Sequence, residues 1–188
     1  MSDLSFEIHS DGTIGNILSG TRLSVPTNQR SYKWEKTHVV ELFDDLESAM
    51  GQDEEYFLGS VVITRTGVSG SPEVVDGQQR LATSVILIAA IRDYLLKIND
   101  EEFASDIERR YIMSRAYPSR EVLPQLRLNL HDHDYFLKRI LYRPGTDERA
   151  SAKATRGSHR RINLSAQAAA ARVKRIVAGA TPSSSLSA

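Results

Sequence analysis

The chain has 188 residues, enough for one domain with a short appendage, and its 40% apolar and 26% charged content suits a chain that buries a core. It has no cysteine, which excludes disulfides and cysteine-based metal or nucleophile chemistry. The formal net charge is zero, yet eight Lys or Arg and no acid lie from Arg149 onward, leaving 16 basic against 24 acidic residues in the first 148, a balance of −8.

The N-terminal "MSDLSFEIHSDG" has neither a basic nor an apolar leader region, and the longest apolar run, "VILIAAI" at 85–91, is far short of the roughly 20 residues of a membrane span. The expectation is a cytoplasmic protein without membrane contact.

In chain order, "SDGTIGNILSG" predicts a short helix capped by Ser10 or Asp11 and closed by Gly20. "TRLSVP" alternates and stops at Pro26, as an edge strand or a strand entering a loop does. "KTHVVELFDDLESAM" places Val39, Val40, Leu42, Phe43, Leu46 and Met50 near one stripe, with Glu41, Asp44, Asp45 and Glu47 outward. "YFLGSVVITR" and "EVVD" read as the two strands of a hairpin over 56–76. "LATSVILIAAIRDYLLKI" is apolar almost all round and predicts a buried helix. A helix over "DEEFASDIERRYIMSR", a strand over "QLRLNL" and a helix over "HDHDYFLKRILYR" complete the body.

After "PGTDER" the composition changes. "SAKATRGSHRR", with His159, reads as flexible, "LSAQAAAARVKRIVAG" as a helix using Ile162, Leu164, Val173, Ile176 and Val177, and "TPSSSLSA" as disordered. The predicted division is a body over 1–145 and a basic, partly helical tail over 146–188. The tail's charge can bind DNA or can be a helical face awaiting a partner.

Two Gln-Arg pairs carry the chemistry. In "VVDGQQRLATS" a strand runs into Asp76, Gly77 allows a tight turn, and the buried helix begins at once. A helix N-terminus exposes free N–H groups and favours anions. Arg80 adds a forked, permanently charged donor, and Gln78 and Gln79 add donors and acceptors. A purely structural account competes: Asp76 and Gln79 have capping-box spacing. In "VPTNQRSYKW", Arg30 lies beside Tyr32 and Trp34, as in loops that stack bases or hold phosphate. Here too a structural account competes, with Tyr32 and Trp34 as core anchors and Arg30 paired to the acidic helix at 41–47. "HDHD", His131 to Asp134, has metal-capable residue types but sits at a helix start, where acids are commonplace, and no metal site is assigned there.

Taken together, "VPTNQRSYKW", "YFLGSVVI" and "VVDGQQRLAT" resemble the N-terminal domain of GmrSD-type restriction endonucleases, over roughly residues 10–140. The resemblance implies an α+β fold of ParB-like, sulfiredoxin-like type, a small mixed sheet packed by helices, with a helical tail behind it. It implies binding and hydrolysis of a nucleoside triphosphate in phage defence. Carried over by position, Gln29, Arg30, Tyr32, Gly77, Gln78 and Gln79 become nucleotide contacts. Asp76 and Arg80 become catalytic, with Asp76 holding Mg²⁺, and the two Gln-Arg pairs are expected to face each other across one pocket. Asn28 stands where the family commonly has an aromatic, and Ala82 and Ser84 alter the usual "LTTL". Relatives usually continue into a nuclease domain, so this chain is expected to need a C-terminal domain or a separate nuclease subunit for DNA cleavage. The alternatives are a non-enzymatic ParB-like DNA-binding regulator and a truncated product without activity.

Overall fold

The computed structural model describes residues 4–7, 13–52, 55–66 and 72–180. The expected caps Ser10 and Asp11, the hairpin loop at 67–71 and the C-terminal "TPSSSLSA" lie outside the described residues.

Strand β1 (Leu4–Glu7) precedes helix α1 (Ile14–Gly20), which Thr13 caps by accepting from the Asn16 N–H. Then come β2 (Leu23–Ser24), α2 (Lys36–Gln52), β3 (Val62–Thr66), β4 (Glu73–Asp76) and the long α3 (Gln78–Lys97). Helix α4 (Glu101–Ile107) runs into a π-helical turn (Glu108–Ile112) and a small hairpin of β5 (Met113–Arg115) and β6 (Val122–Pro124). Strand β7 (Leu126–Arg127), α5 (His133–Phe136) with its own π-helical turn (Leu137–Leu141), α6 (Asp147–Ala150) and α7 (Gly157–Ala180) follow.

The fold is α+β. One mixed sheet has the order β1-β3-β4-β2-β7, antiparallel on the β1-β3-β4 side and parallel from β4 through β2 to β7. Strand β2 is therefore interior, not an edge. The hairpin forms, but its first strand starts at Val62; 55–61 is irregular chain. The "QLRLNL" strand shrinks to two residues, because the chain turns away at Leu128 to form the floor of a cleft. Met113 to Arg115 leave the predicted helix for the β5–β6 pairing, and sequence periodicity gave no sign of that hairpin.

Helix α3 is the axis of the core. Leu81, Val85, Ile86 and Ala89 are buried against α7 and α4, as its all-round apolar pattern predicts. Its one fully buried cation, Arg92, donates to the carbonyls of Ile140, Leu141 and Tyr142 and to Asp93. Those carbonyls close the second π-helical turn, so Arg92 satisfies acceptors that the helix end leaves open.

The basic C-terminal segment departs most from expectation. Helix α7 starts at Gly157, and Ser158, His159, Ile162, Ser165, Ala169, Arg172 and Val173 are buried along one helical stripe. "SHRR" is helical, not flexible. His159 stacks on Tyr135 with ring centroids 4.5 Å apart. Leu164 lies on the outer side, 44% exposed. Arg172 bonds Asp44 and Glu47, and Arg175 bonds Glu47, so the acidic face of α2 is partnered by α7 rather than by Arg30. Packing shows no break at the predicted boundary near residue 145: α7 closes the same core as α2 and α3.

Candidate functional site

Three parallel strands, β4, β2 and β7, end on the same side of the sheet. Their carboxyl ends are where open α/β sheets receive ligands, because the loops that follow them converge there. Val25 follows β2, Leu128 and Asn129 follow β7, and Gly77 joins β4 to α3. Val25, Arg30, Tyr32, Gln78, Gln79, Ala82, Leu128, Asn129 and Asp132 line a cleft at this point. About 200 Å³ of empty space lies around these residues, open solvent included, so the cleft is a shallow surface depression and not an enclosed pocket.

The amides of the Gln-Arg pairs hold the 29–34 loop against the sheet and α3. Gln29 donates Nε2 to the Val75 carbonyl at 3.2 Å, and its own carbonyl accepts from Asn129 Nδ2 at 3.0 Å. Gln78 donates Nε2 to the Arg30 carbonyl at 3.3 Å. Gln79 Oε1 accepts from the N–H groups of Lys33, at 2.7 Å, and Trp34. The capping box between Asp76 and Gln79 does not form. Gly77 occupies the cap position with φ 83°, no side chain caps the helix, and the first intrahelical bond runs from Leu81 N–H to the Gly77 carbonyl. The N–H groups of Gln78, Gln79 and Arg80 precede that ladder.

Gly77 is needed twice over. Its φ lies in the left-handed region, and a Cβ there would meet Val61 and the Ser60 carbonyl at 3.0–3.1 Å. The 59–61 segment thus sits on the turn. Gly59, at φ 91°, makes room for Arg80, whose Nη1 would lie 2.0 Å from any added Cβ.

Arg80 is turned away from the cleft. At 3.6 residues per turn, it points about 150° from the face shared by Gln78, Gln79 and Ala82. It donates to the Ser60 carbonyl at 2.8 Å and lies 3.8 Å from Asp76, which is exposed. Arg30, Gln78 and Gln79 therefore share the cleft, Gln29 braces it from behind, and Asp76 and Arg80 occupy the outer flank of the same helix end.

Tyr32 forms a wall. It is 3% exposed, and its hydroxyl lies between Thr83 Oγ1, at 2.8 Å, and Ser165 Oγ, at 3.0 Å. Burial raises its pKa against those two hydrogen bonds, so it stays a neutral phenol. Trp34 is half-buried and stacks on His38.

The sequence reading placed Asn129 in a strand and set Asp132 aside with the other residues of "HDHD", assigning neither to the site. Asn129 Oδ1 accepts from the His131 and Asp132 N–H groups, an Asx turn that aims Asp132 inward. Asp132 is 1% exposed and accepts from the Tyr32 N–H at 2.7 Å and the Ser158 hydroxyl at 2.5 Å. His159 fixes the adjoining turn: its Nδ1 accepts from Thr155 N–H and its Nε2–H donates to the His131 carbonyl at 2.9 Å. An Asn directly after a strand was the available signal.

Among the described residues no group of three or more His, Asp or Glu could hold a metal ion, and no helix is long and apolar enough to cross a membrane. Arg30 is exposed, and its guanidinium makes no hydrogen bond or ion pair with the described residues. Gln79, 6% exposed, has its Nε2 similarly unengaged beside the cleft.

An α+β domain with a shallow cleft of mixed lining at the open N-terminus of its central helix is the class these features define. The chain belongs to the family described as the GmrSD restriction endonuclease, N-terminal domain, whose model matches residues 13–177. That family makes it a restriction-type phage-defence protein, and the match runs through α7 as the packing does. Among curated proteins, nothing matches the chain.

Proposed function

We propose that the protein binds a nucleoside triphosphate at the open end of α3 and hydrolyses it. The observation that carries this reading is the uncapped helix N-terminus bordered by two unengaged donors, the Arg30 guanidinium and Gln79 Nε2. Helix dipole, free N–H groups and an unengaged cation together favour phosphate. The phosphates would lie over the shallow cleft beside Arg30 and Gln79.

Mg²⁺ fits this arrangement through substrate oxygens, water and one carboxylate, which is how Mg²⁺ is usually held. Asp76 is the exposed carboxylate on the outer flank, and Arg80 stands beside it. Asp76 would hold the ion, which would supply positive charge against the phosphates, and Arg80 would offer a donor on leaving Ser60.

Thermal unfolding with each of the four common triphosphates and Mg²⁺ tests the reading. A ligand at ~100 times its dissociation constant stabilises the native state by about 2.7 kcal/mol. No shift with any triphosphate at millimolar concentration removes the proposal.

A further inference from the structure

Arg30 has a free side chain on a pinned main chain. Its guanidinium makes no hydrogen bond or ion pair with the described residues. To either side of it, the Gln29 carbonyl accepts from Asn129 Nδ2 at 3.0 Å and the Tyr32 N–H donates to Asp132 Oδ2 at 2.7 Å. Both grips come from one turn, in which Asn129 Oδ1 accepts from the Asp132 N–H. The other side chains that hold this loop, Gln78 and Gln79, are neutral amides. Asp132 is the carboxylate of the set, and hydrogen bonds to a carboxylate are roughly twice as strong as neutral ones.

Asp132 is itself held from the far side. Its Oδ1 accepts from the Ser158 hydroxyl at 2.5 Å, in the first turn of α7. About two turns further along that helix, Ser165 Oγ meets the Tyr32 hydroxyl at 3.0 Å. One face of α7 therefore serves both ends of Tyr32: Ser158 reaches its N–H through Asp132, and Ser165 reaches its hydroxyl directly. Tyr32 and Asp132 are 3% and 1% exposed, so the loop cannot shift at Tyr32 without stranding buried polar groups.

We propose that Asp132 is a positioning residue: it fixes Arg30 beside the open end of α3, and α7 in turn fixes Asp132. The inference rests on the reading of Arg30 as a phosphate contact. Both carboxylate oxygens of Asp132 are taken by protein donors, and its charge has the sign of a phosphate. It acts through the loop and not on the ligand.

The test is a double-variant cycle on the full chain. Isothermal titration calorimetry measures the binding of non-hydrolysable β,γ-methylene forms of the four common nucleoside triphosphates, with Mg²⁺. Arg30→Ala removes a charged contact and should weaken binding about tenfold or more. Asp132→Ala keeps Arg30 but frees its loop, and should weaken binding several-fold. The double variant should bind no more weakly than Arg30→Ala, because nothing is left for Asp132 to position. A purely structural Asp132 would change the melting temperature and leave the affinity of the folded protein alone. Asp132→Asn keeps an acceptor for the Tyr32 N–H and offers Nδ2 to the Ser158 oxygen, so it should recover most of the affinity that Asp132→Ala loses. If circular dichroism finds Asp132→Ala unfolded, Ser158→Ala, which removes one of the two anchors, takes its place in the cycle. Parent-like affinity in the folded variant, or losses that multiply in the double variant, overturns this inference and leaves the nucleotide reading standing. No binding of any triphosphate by the parent overturns both.

Discussion

Ser158 donates its hydroxyl to Asp132 Oδ1 at 2.5 Å, and Asp132 is at once a cleft residue and nearly inaccessible to solvent. The segment expected to be a detachable tail is therefore bonded to the floor of the candidate site. Removing residues 157–188 strips Ile162, Ala169 and Val173 from the core. Each fully buried aliphatic side chain of Val or Ile size is worth about 1.5–3 kcal/mol, against a total stability of roughly 5–15 kcal/mol. The truncated chain is expected to lose cooperative unfolding. Ser158→Ala should fold but lose about 1–3 kcal/mol, because a buried carboxylate keeps one donor fewer. Urea titration of both checks this; a truncated chain with the parent midpoint would restore the detachable tail.

The two arginines of the Gln-Arg pairs should behave differently. Arg30→Ala removes an unengaged cation, so it is expected to leave the melting temperature unchanged and weaken triphosphate binding. Arg80→Ala loses the bond to Ser60 and its packing at Gly59, and should cost about 1–2 kcal/mol of stability. Ligand-induced thermal shifts of the pair decide the matter. If Arg80→Ala alone abolishes the shift, the phosphates lie on the outer flank.

Asp76 makes no cap, so both Asp76→Asn and Asp76→Ala should stay within about 0.5 kcal/mol of the parent. Both should lose metal-dependent hydrolysis, because neither retains the charge. Hydrolysis rates measured beside melting temperatures test this. A parent-like rate in either variant withdraws the catalytic role of Asp76.

His133 supplies a pH dependence. Burial, and then the charge of Arg127, lower its pKa from 6.5, with Asp134 opposing, and its buried Nδ1 has no hydrogen-bond partner among the described residues. The unfolded chain therefore takes up a proton in a window below pH 6.5 where the native chain does not. Its contribution is complete above 6.5 and is lost as pH falls through the folded-state value. His133→Gln should flatten the decline in stability just below 6.5. Identical pH profiles for parent and variant would refute the assignment.

Much of the body was legible because its signals are local. The all-round apolar run gave α3, the one-sided stripe gave α2, and β-branched runs with a loop between gave β3 and β4. The role of α7 was not legible. Its buried stripe includes Ser158, His159, Ser165 and Arg172, polar residues that read as solvated until Asp132, Tyr135, Tyr32 and Asp44 supply their partners. The site was half legible. Sequence spacing brings Gln78 and Gln79 to a helix start, but only the parallel register of β2 with β7 brings Asn129 and Asp132 beside them. Arg80 was expected to face Arg30, but two residues past Gln78 on a helix it turns to the outer flank.

The loop that carries Arg30 is held by neutral amide groups of Gln29, Gln78, Gln79 and Asn129 bonding to main chain. None of these titrates, and none depends on ionic strength in the way the α2–α7 ion pairs do. Raising salt or lowering pH should thus loosen the Arg172 and Arg175 contacts, where Glu47 is held below its ordinary carboxylate range by Arg175 and then Arg172, while the loop stays in place. The one charged group on the loop's main chain is the Asp132 carboxylate, which accepts from the Tyr32 N–H and is shielded from solvent, so buffer changes reach the α2–α7 pairs before they reach the cleft.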